Sequence, residues 1–367
     1  MSLQRARVLA ACSHRQPDQV PKGEFGIEPG LRQRLLGLLL KEQRIMSHPN
    51  KAESPKDQTD REMAELISVL VGLDMDLTAA NPYFPPRQDL RPDPRGRQRW
   101  LDFWGNEVIE VGASTGVVRP VCSGIKILLN YAFPQLETVD LAMIMRWSQE
   151  TPFFIFSQVP GPFSLLAGLT SFLDFLRFTE TNQLELKQLA AVTGQWLGDL
   201  LQACINAGAQ GIVITEDLTY NRGPWIDIKV LRQVFWPALA EMVELAKKAG
   251  VPVLLHCDGD VRSLLPEVVD LGFNGIHSLQ PSAGVNLATV KAEYGSRLCL
   301  MGNLDCDYLL PQGTVAEVEA ATRETLRVGS PGGGFILSSC AGILSSDWPA
   351  ENVLAMYRTA ASASQEL

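Results

Sequence analysis

The chain has 367 residues, 46% hydrophobic and 20% charged, a balance that excludes the disordered and fibrous classes. A formal net charge of -9, with no basic run, argues against a nucleic-acid partner or an anionic membrane surface. The length allows two average domains or one α/β barrel.

The N-terminus, MSLQRARVLAACSHRQPDQVP, lacks the apolar core and cleavage site of a signal peptide, and the run LLGLLL is too short to span a bilayer. LQRARVLAACSH and GLRQRLLGLLLKEQRIM carry helical spacing, and the polar, breaker-rich SHPNKAESPKDQTD reads as a surface loop. REMAELISVLVGL is helical again and leads into the short apolar segment DMDLTAA. Proline makes PYFPPRQDLRPDPRGR an irregular connection, and RWLDFWGNEVIEVG alternates on either side of Gly105-Asn106 as a hairpin does. From there short β-type runs recur at 153–159, 211–217, 252–258, 275–280, 298–305 and 334–340. Helical patterns such as DIKVLRQVFWPALAEMVELAKKAG and TVAEVEAATRETLRV separate them. Strands alternating with helices mean a parallel sheet, and six or more units without a switch point favour a closed (β/α)8 TIM barrel. The expected organisation is an N-terminal helical extension over residues 1–95, packed on a barrel over residues 96–367, with earlier segments supplying the remaining strands. Seven cysteines, an odd count without framework spacing, suit a reducing cytosol, so the expected location is cytoplasmic.

Each apolar run ends in polar residues on its C-terminal side: Glu216 and Asp217, His256 and Asp258, His277 and Gln280, Asn303 and Asp305, Ser339 and Cys340. In a β/α barrel those ends converge on one mouth, where active sites sit. His256 and Asp258 are two apart on an extended segment and point to the same side, while Cys257 points into the helix layer. A His-x-Asp pair beside Glu216 and Asp217 suits a divalent metal or a general-base dyad; a histidine that merely caps its strand is the plainer alternative. Cys340 at the same mouth would add a thiolate ligand to a zinc site that accepts sulfur, imidazole and carboxylate together; as a lone thiol it would be core filler. Cys306, in the loop after Asp305, is the lesser candidate. His277 and Gln280 either bind substrate or hold internal hydrogen bonds, and Asn303 and Asp305 in GNLD would orient a ligand or a histidine. The glycine-rich GSPGGGF precedes a strand rather than a helix, so it reads as a tight turn and not a nucleotide loop. His14 and His48 fall outside the barrel and are expected at the surface.

Taken in order, LQRARVLAACSHRQPDQVP, EDLTYNRGPWI, HCDGDV, GIHSLQPSAGVNLATVKAEYG, MGNLDCDYLL and SSDWPAENVLAMY resemble the uroporphyrinogen decarboxylase superfamily over nearly the whole chain. The resemblance implies a (β/α)8 barrel with its site at the C-terminal mouth. The true decarboxylases of that superfamily carry an arginine-rich RQAGR segment that grips the substrate's carboxylates; here the corresponding PKGEFGIEPGLRQRLLG lacks it. Arg222 in YNRGPW is the main cation expected near the mouth. The chain is more similar to the corrinoid-dependent methyltransferase branch, which includes the methylcobamide:coenzyme M enzymes. Zinc enzymes there use a His-x-Cys pair and a later cysteine. His256 matches the histidine, Asp258 stands where the pair has cysteine, and the late cysteine's position falls on Ala341, one residue from Cys340.

The resemblance thus implies a methyltransferase that moves a methyl group between a small methyl donor and a corrinoid. The corrinoid is expected on a partner protein, because no cobalamin-binding DxHxxG string occurs here. Zinc would be held by His256, Asp258 and Cys340, with Glu216 or Asp217 as a further ligand or an acid/base. Arg222, His277, Gln280 and Asn303 would line the substrate pocket. An oxygen-richer site of this kind would act as a Lewis acid on an ether or amine donor more readily than it would hold a thiolate. A homodimer is left open, and a uroporphyrinogen decarboxylase-like decarboxylation is the alternative.

Overall fold

The computed structural model describes residues 1–45, 58–111 and 114–363, so His48 and most of the polar loop around it lie outside the described residues. The principal elements begin with helices α1 (Leu3–Cys12), α2 (Pro29–Lys41) and α3 (Gln58–Gly72), then strand β1 (Leu77–Ala79). An antiparallel excursion follows: β2 (Gln88–Leu90), β3 (Arg99–Leu101), β4 (Glu107–Val111) and β5 (Ser114–Arg119). Alternation then sets in with β6 (Phe154–Pro160), α4 (Pro162–Gly168), α5 (Gln183–Asn206), β7 (Gly211–Thr215) and α6 (Trp236–Lys248). It continues through β8 (Val253–Cys257), β9 (Gly275–Ser278), β10 (Cys299–Leu304), α7 (Val315–Gly329), β11 (Phe335–Ser339) and α8 (Ala350–Ala363).

Seven parallel strands form one sheet in the order β1-β6-β7-β8-β9-β10-β11. Its two edges meet across residues 21–23. Lys22 bridges Leu337 of β11, and Gly23 bridges Leu77 of β1, both in parallel sense. Gly23 N donates to Leu337 O at 3.1 Å, Leu337 N to Pro21 O at 2.9 Å, and Asp76 N to Lys22 O at 2.8 Å. This segment is the eighth stave of a (β/α)8 barrel. A glycine is required at the seam, because a Cβ on residue 23 would lie 2.5 Å from Leu77 O. The first 95 residues therefore supply two barrel staves besides the expected helices. The seam is too short and too polar to show strand periodicity. Its Lys22 is buried with Nζ 2.9 Å from Asp74 Oδ2, and its backbone N–H donates to Asp76 Oδ2.

Two differences from the sequence reading have local causes. The proline-rich connection contains the short edge strand β2, paired only with β3 and free of proline, with Pro85, Pro86, Pro92 and Pro94 falling on either side of it. The helix expected over 227–250 carries a π-helical stretch at Leu231–Phe235, just before Pro237, whose missing N–H breaks the regular ladder. The turn at GSPGGGF is as expected, with Gly332, Gly333 and Gly334 all in the left-handed region that only glycine enters freely. His14 is partly buried beside Gly334 rather than at the surface, and burial lowers its pKa.

Strand alternation sorts the core into two compartments. Leu77, Phe154, Phe156, Val213, Leu254, Cys299, Met301 and Ile336 fill the barrel interior, with Val8, Ala11 and Cys12 of α1 packed against them. Their neighbours one residue along, such as Ile212, Leu255, Ile276, Leu300 and Leu337, belong to the larger core shared with the outer helices. Continuing each inward register toward the C-terminal end brings His256, His277, Asn303 and Ser338 into the upper interior layer. Among the described residues, no helix is long and apolar enough to cross a membrane.

Candidate active site at the barrel mouth

His256 and His277 sit opposite each other on β8 and β9, in register. Their Nδ1 atoms are 2.7 Å apart and their ring centroids 4.9 Å. Neither spacing nor alternation within one strand shows such a contact; it depends on the register between strands. His277 is fully buried beneath Phe25, with ring centroids 4.7 Å apart, and burial together with the neighbouring His256 holds its pKa well below the usual range. His256 is closer to the mouth, its Nε2 3.9 Å from Asp258 Oδ2. Cys257 points outward as expected, into the helix-side core beside Thr219, and burial pushes its thiol up to about 12.

Asp217 completes a mouth cluster with these two residues. Burial and the negative charge of Asp258 raise its pKa, while His256 lowers it. The carboxylate lines a groove of about 530 Å³. Val117, Val118 and Pro120 of the antiparallel excursion form one wall, and Phe163 and Phe172 stand on the other. This is a shaped, largely apolar cleft beside a small set of polar groups, as small-molecule sites usually are.

Glu216 is placed differently. It is fully buried, and its Oε1 and Oε2 accept from Phe163 N at 3.1 Å and Ser164 N at 2.8 Å, at the start of α4. Gly161 makes room for it, since a Cβ there would come within 2.1 Å of the carboxyl carbon. Burial raises the Glu216 pKa to about 7 against the pull of those hydrogen bonds. The side chain is thus committed to the backbone of α4, while the backbone N–H of its neighbour Asp217 donates to Ser164 Oγ at 2.8 Å.

The remaining expected residues are dispersed around the mouth. Cys340 is buried with its Sγ 2.9 Å from Cys306 Sγ and 3.3 Å from Cys306 N; the thiol contact and burial push its pKa far above the usual range. Among the described residues, no group of three His, Cys, Asp or Glu side chains is arranged to hold a metal ion. Of the expected donors, His256 and Asp258 lie together at the mouth, with His256 Nδ1 turned to His277, while the Cys340 thiol is engaged with Cys306. Asn303 donates to Leu279 O at 3.0 Å. Gln280 ties loops together, accepting from Gly259 N at 2.8 Å and donating to Asp307 Oδ2 at 2.7 Å. Asp305 caps the helix that follows it, accepting from Tyr308 N and Leu309 N. Arg222 lies exposed between two short strands, Thr219–Tyr220 and Gly223–Pro224, and makes no ion pair among the described residues.

Sequence reasoning missed Glu24. It follows the barrel seam, is fully buried, and accepts four hydrogen bonds. Ser339 N and the Tyr357 hydroxyl donate to Oε1 at 2.7 and 2.9 Å; the Ser339 and Ser338 hydroxyls donate to Oε2 at 2.9 and 3.2 Å. Burial raises its pKa to about 7, with the hydrogen bonds opposing. His277 Nε2 is 3.2 Å from both Ser338 Oγ and Ser339 O, so Glu24 and His256 are joined by one continuous hydrogen-bonded chain. The only sequence signal was an acidic residue between Gly23 and Phe25 in a segment otherwise read as loop.

With this geometry in place, comparison with protein families finds one match: the family described as Uroporphyrinogen decarboxylase (URO-D) matches residues 136–363. The chain belongs to the uroporphyrinogen decarboxylase family. The matched region of this family member runs from just before β6 to the end of α8, and so contains the mouth cluster. Among solved structures, the fold is similar to that of a methyltransferase from Methanosarcina mazei, 19% identical over 99% of both chains with a TM-score of 0.72. A B12-independent methionine synthase from Shewanella sp. W3-18-1 in complex with selenomethionine is 12% identical over 80% of this chain and 83% of that one, with a TM-score of 0.44. No curated protein sequence matches the chain.

Proposed function

We propose that this member of the uroporphyrinogen decarboxylase family is a methyltransferase, moving a methyl group between a small methylated compound and a corrinoid carried by a partner protein. The observation that carries the reading is the charge at the mouth. His256 is flanked by two carboxylates, Asp217 and Asp258, and the nearest expected cation, Arg222, is turned to solvent. A substrate bearing many carboxylates would meet repulsion there, because each carboxylate needs a guanidinium or ammonium partner to be held. A neutral or cationic methyl donor meets no such barrier. An exposed apolar rim of Val117, Val118, Phe172, Leu173, Tyr220 and Trp225 borders the groove, the kind of surface on which a partner protein docks.

The bound corrinoid would supply the cobalt that accepts or gives up the methyl group. The chain's own residues bind and orient the donor and manage the proton of the heteroatom that loses its methyl. As the methyl–heteroatom bond breaks, its electron pair stays on the heteroatom, and the imidazolium of His256 gives that atom a proton. Asp258, beside His256 Nε2, and Asp217 border the place where the donor binds. The apolar walls of the groove exclude water from the transfer.

The test is spectroscopic. The protein is mixed with cob(I)alamin and a panel of methanol, methyl ethers, methylamines and methyl thiols, and the conversion to methylcobalamin is followed by absorbance. Acceleration with at least one donor, lost in His256→Ala, supports the reading. Sustained carbon dioxide release from uroporphyrinogen, without methyl transfer from any donor, overturns it.

A further inference from the structure

We infer that Glu24 is a positioning residue that fixes the tautomer of His256, leaving the lone pair of the neutral ring on Nε2, at the barrel mouth. The argument runs inward to outward along the buried chain. The Ser339 carbonyl can only accept, so His277 Nε2, 3.2 Å away and fully buried, carries the hydrogen wherever the two are bonded. A neutral imidazole has one N–H, and a ring this deeply buried beside a second histidine stays neutral. His277 Nδ1 is then an acceptor. His256 Nδ1, 2.7 Å from it, must be the donor. The lone pair of neutral His256 therefore sits on Nε2, the nitrogen beside Asp258 Oδ2.

One arrangement competes. If the Ser338 hydroxyl donated to His277 Nε2, at 3.2 Å, every hydrogen in the chain would reverse, and His256 would present Nε2–H with no basic atom at the mouth. Glu24 selects against it. Above about pH 7 its carboxylate has no hydrogen to give and accepts from both serine hydroxyls, from Ser339 N and from Tyr357. The Ser338 hydrogen is drawn to Glu24 Oε2 or to Ser339 O, at 3.2 and 2.8 Å, and away from His277. The same carboxylate grips Ser339 at N and Oγ, which fixes the carbonyl that orients His277. A buried acid on the seam of the barrel thus sets the chemistry of a histidine it does not touch.

The consequence for catalysis rests on the methyl-transfer reading, but the tautomer does not, and the two are measured separately. The full chain is labelled with 15N at histidine and its imidazole nitrogens are read by NMR without substrate, at mildly alkaline pH. Four histidines make assignment by single substitution practical. The expected wild-type spectrum has His256 protonated at Nδ1 and His277 at Nε2. In Glu24→Gln the amide donates to the serine hydroxyls, the Ser338 hydrogen turns to His277, and His256 gains a population protonated at Nε2. Adding Ser338→Ala to that variant removes the competing donor and should restore the Nδ1–H form, a rescue that general loosening of the fold would not produce. A wild-type His256 protonated at Nε2 overturns the inference. So does a folded Glu24→Gln protein whose His256 signals are unchanged. If Glu24→Gln fails to fold, the wild-type spectrum alone decides.

Discussion

Replacing Glu216 by glutamine should change how stability depends on pH, and the direction follows from its burial. The folded state holds the Glu216 proton up to about pH 7, whereas the unfolded chain releases it near the ordinary value of 4.5. The unfolded state therefore sheds the proton first, so stability falls as pH rises from about 4.5 to about 7 and levels off above. A displacement of that size corresponds to about 3 kcal/mol, lost across that same interval. Glutamine cannot titrate, and its amide nitrogen must face one of the two backbone donors at Phe163 and Ser164, a pH-independent cost of about 1–3 kcal/mol. In urea denaturation the variant should be clearly weaker than wild type in mild acid and nearly equal to it in mild alkali. Glu24 contributes a slope of the same sign to both proteins and cancels in the comparison. A stability gap of equal size at both pH values would refute the reasoning.

His256→Ala should lower the rate of corrinoid methylation by about 10²–10⁴-fold and cost about 1–3 kcal/mol in urea, because the buried His277 Nδ1 loses its partner. Cys257 should resist iodoacetamide in the native protein and react only in urea, as its buried, weakly acidic thiol requires; peptide mapping checks this. Gly23→Ala should cost about 1–3 kcal/mol by forcing the barrel seam apart at Leu77 O, read as a lower urea midpoint.

The strands from β6 onward were legible because each is a short apolar run bounded by polar turns, and their polar ends pointed correctly to one face. Alternation also placed Cys257 outside and His256 inside, as found. What the sequence could not convey was anything that depends on pairing between distant segments. The seam at Lys22 and Gly23 has no periodicity to read, so nothing drew attention to its neighbour Glu24. The distinction between Glu216 and Asp217 turned on which one meets the backbone of α4, and the partnership of Cys340 with Cys306 turned on where two loops cross. Adjacent polar residues at a strand end leave the alternation that fixes side-chain direction, so composition alone cannot separate the capping group from the reacting one.

The position of the seam also bears on how the protein comes into being. Residues 21–23 leave the ribosome early, yet their partner β11 begins more than three hundred residues later, at Phe335. During synthesis this stave must wait, unpaired on one side, until β11 has been made. Long-range pairing of this kind is slow because the loop must be closed before any contact rewards it. Glu24 reaches Ser338, Ser339 and Tyr357 only once that closure is complete. An incompletely assembled barrel can therefore carry every mouth residue and still lack the hydrogen-bonded chain from Glu24 to His256.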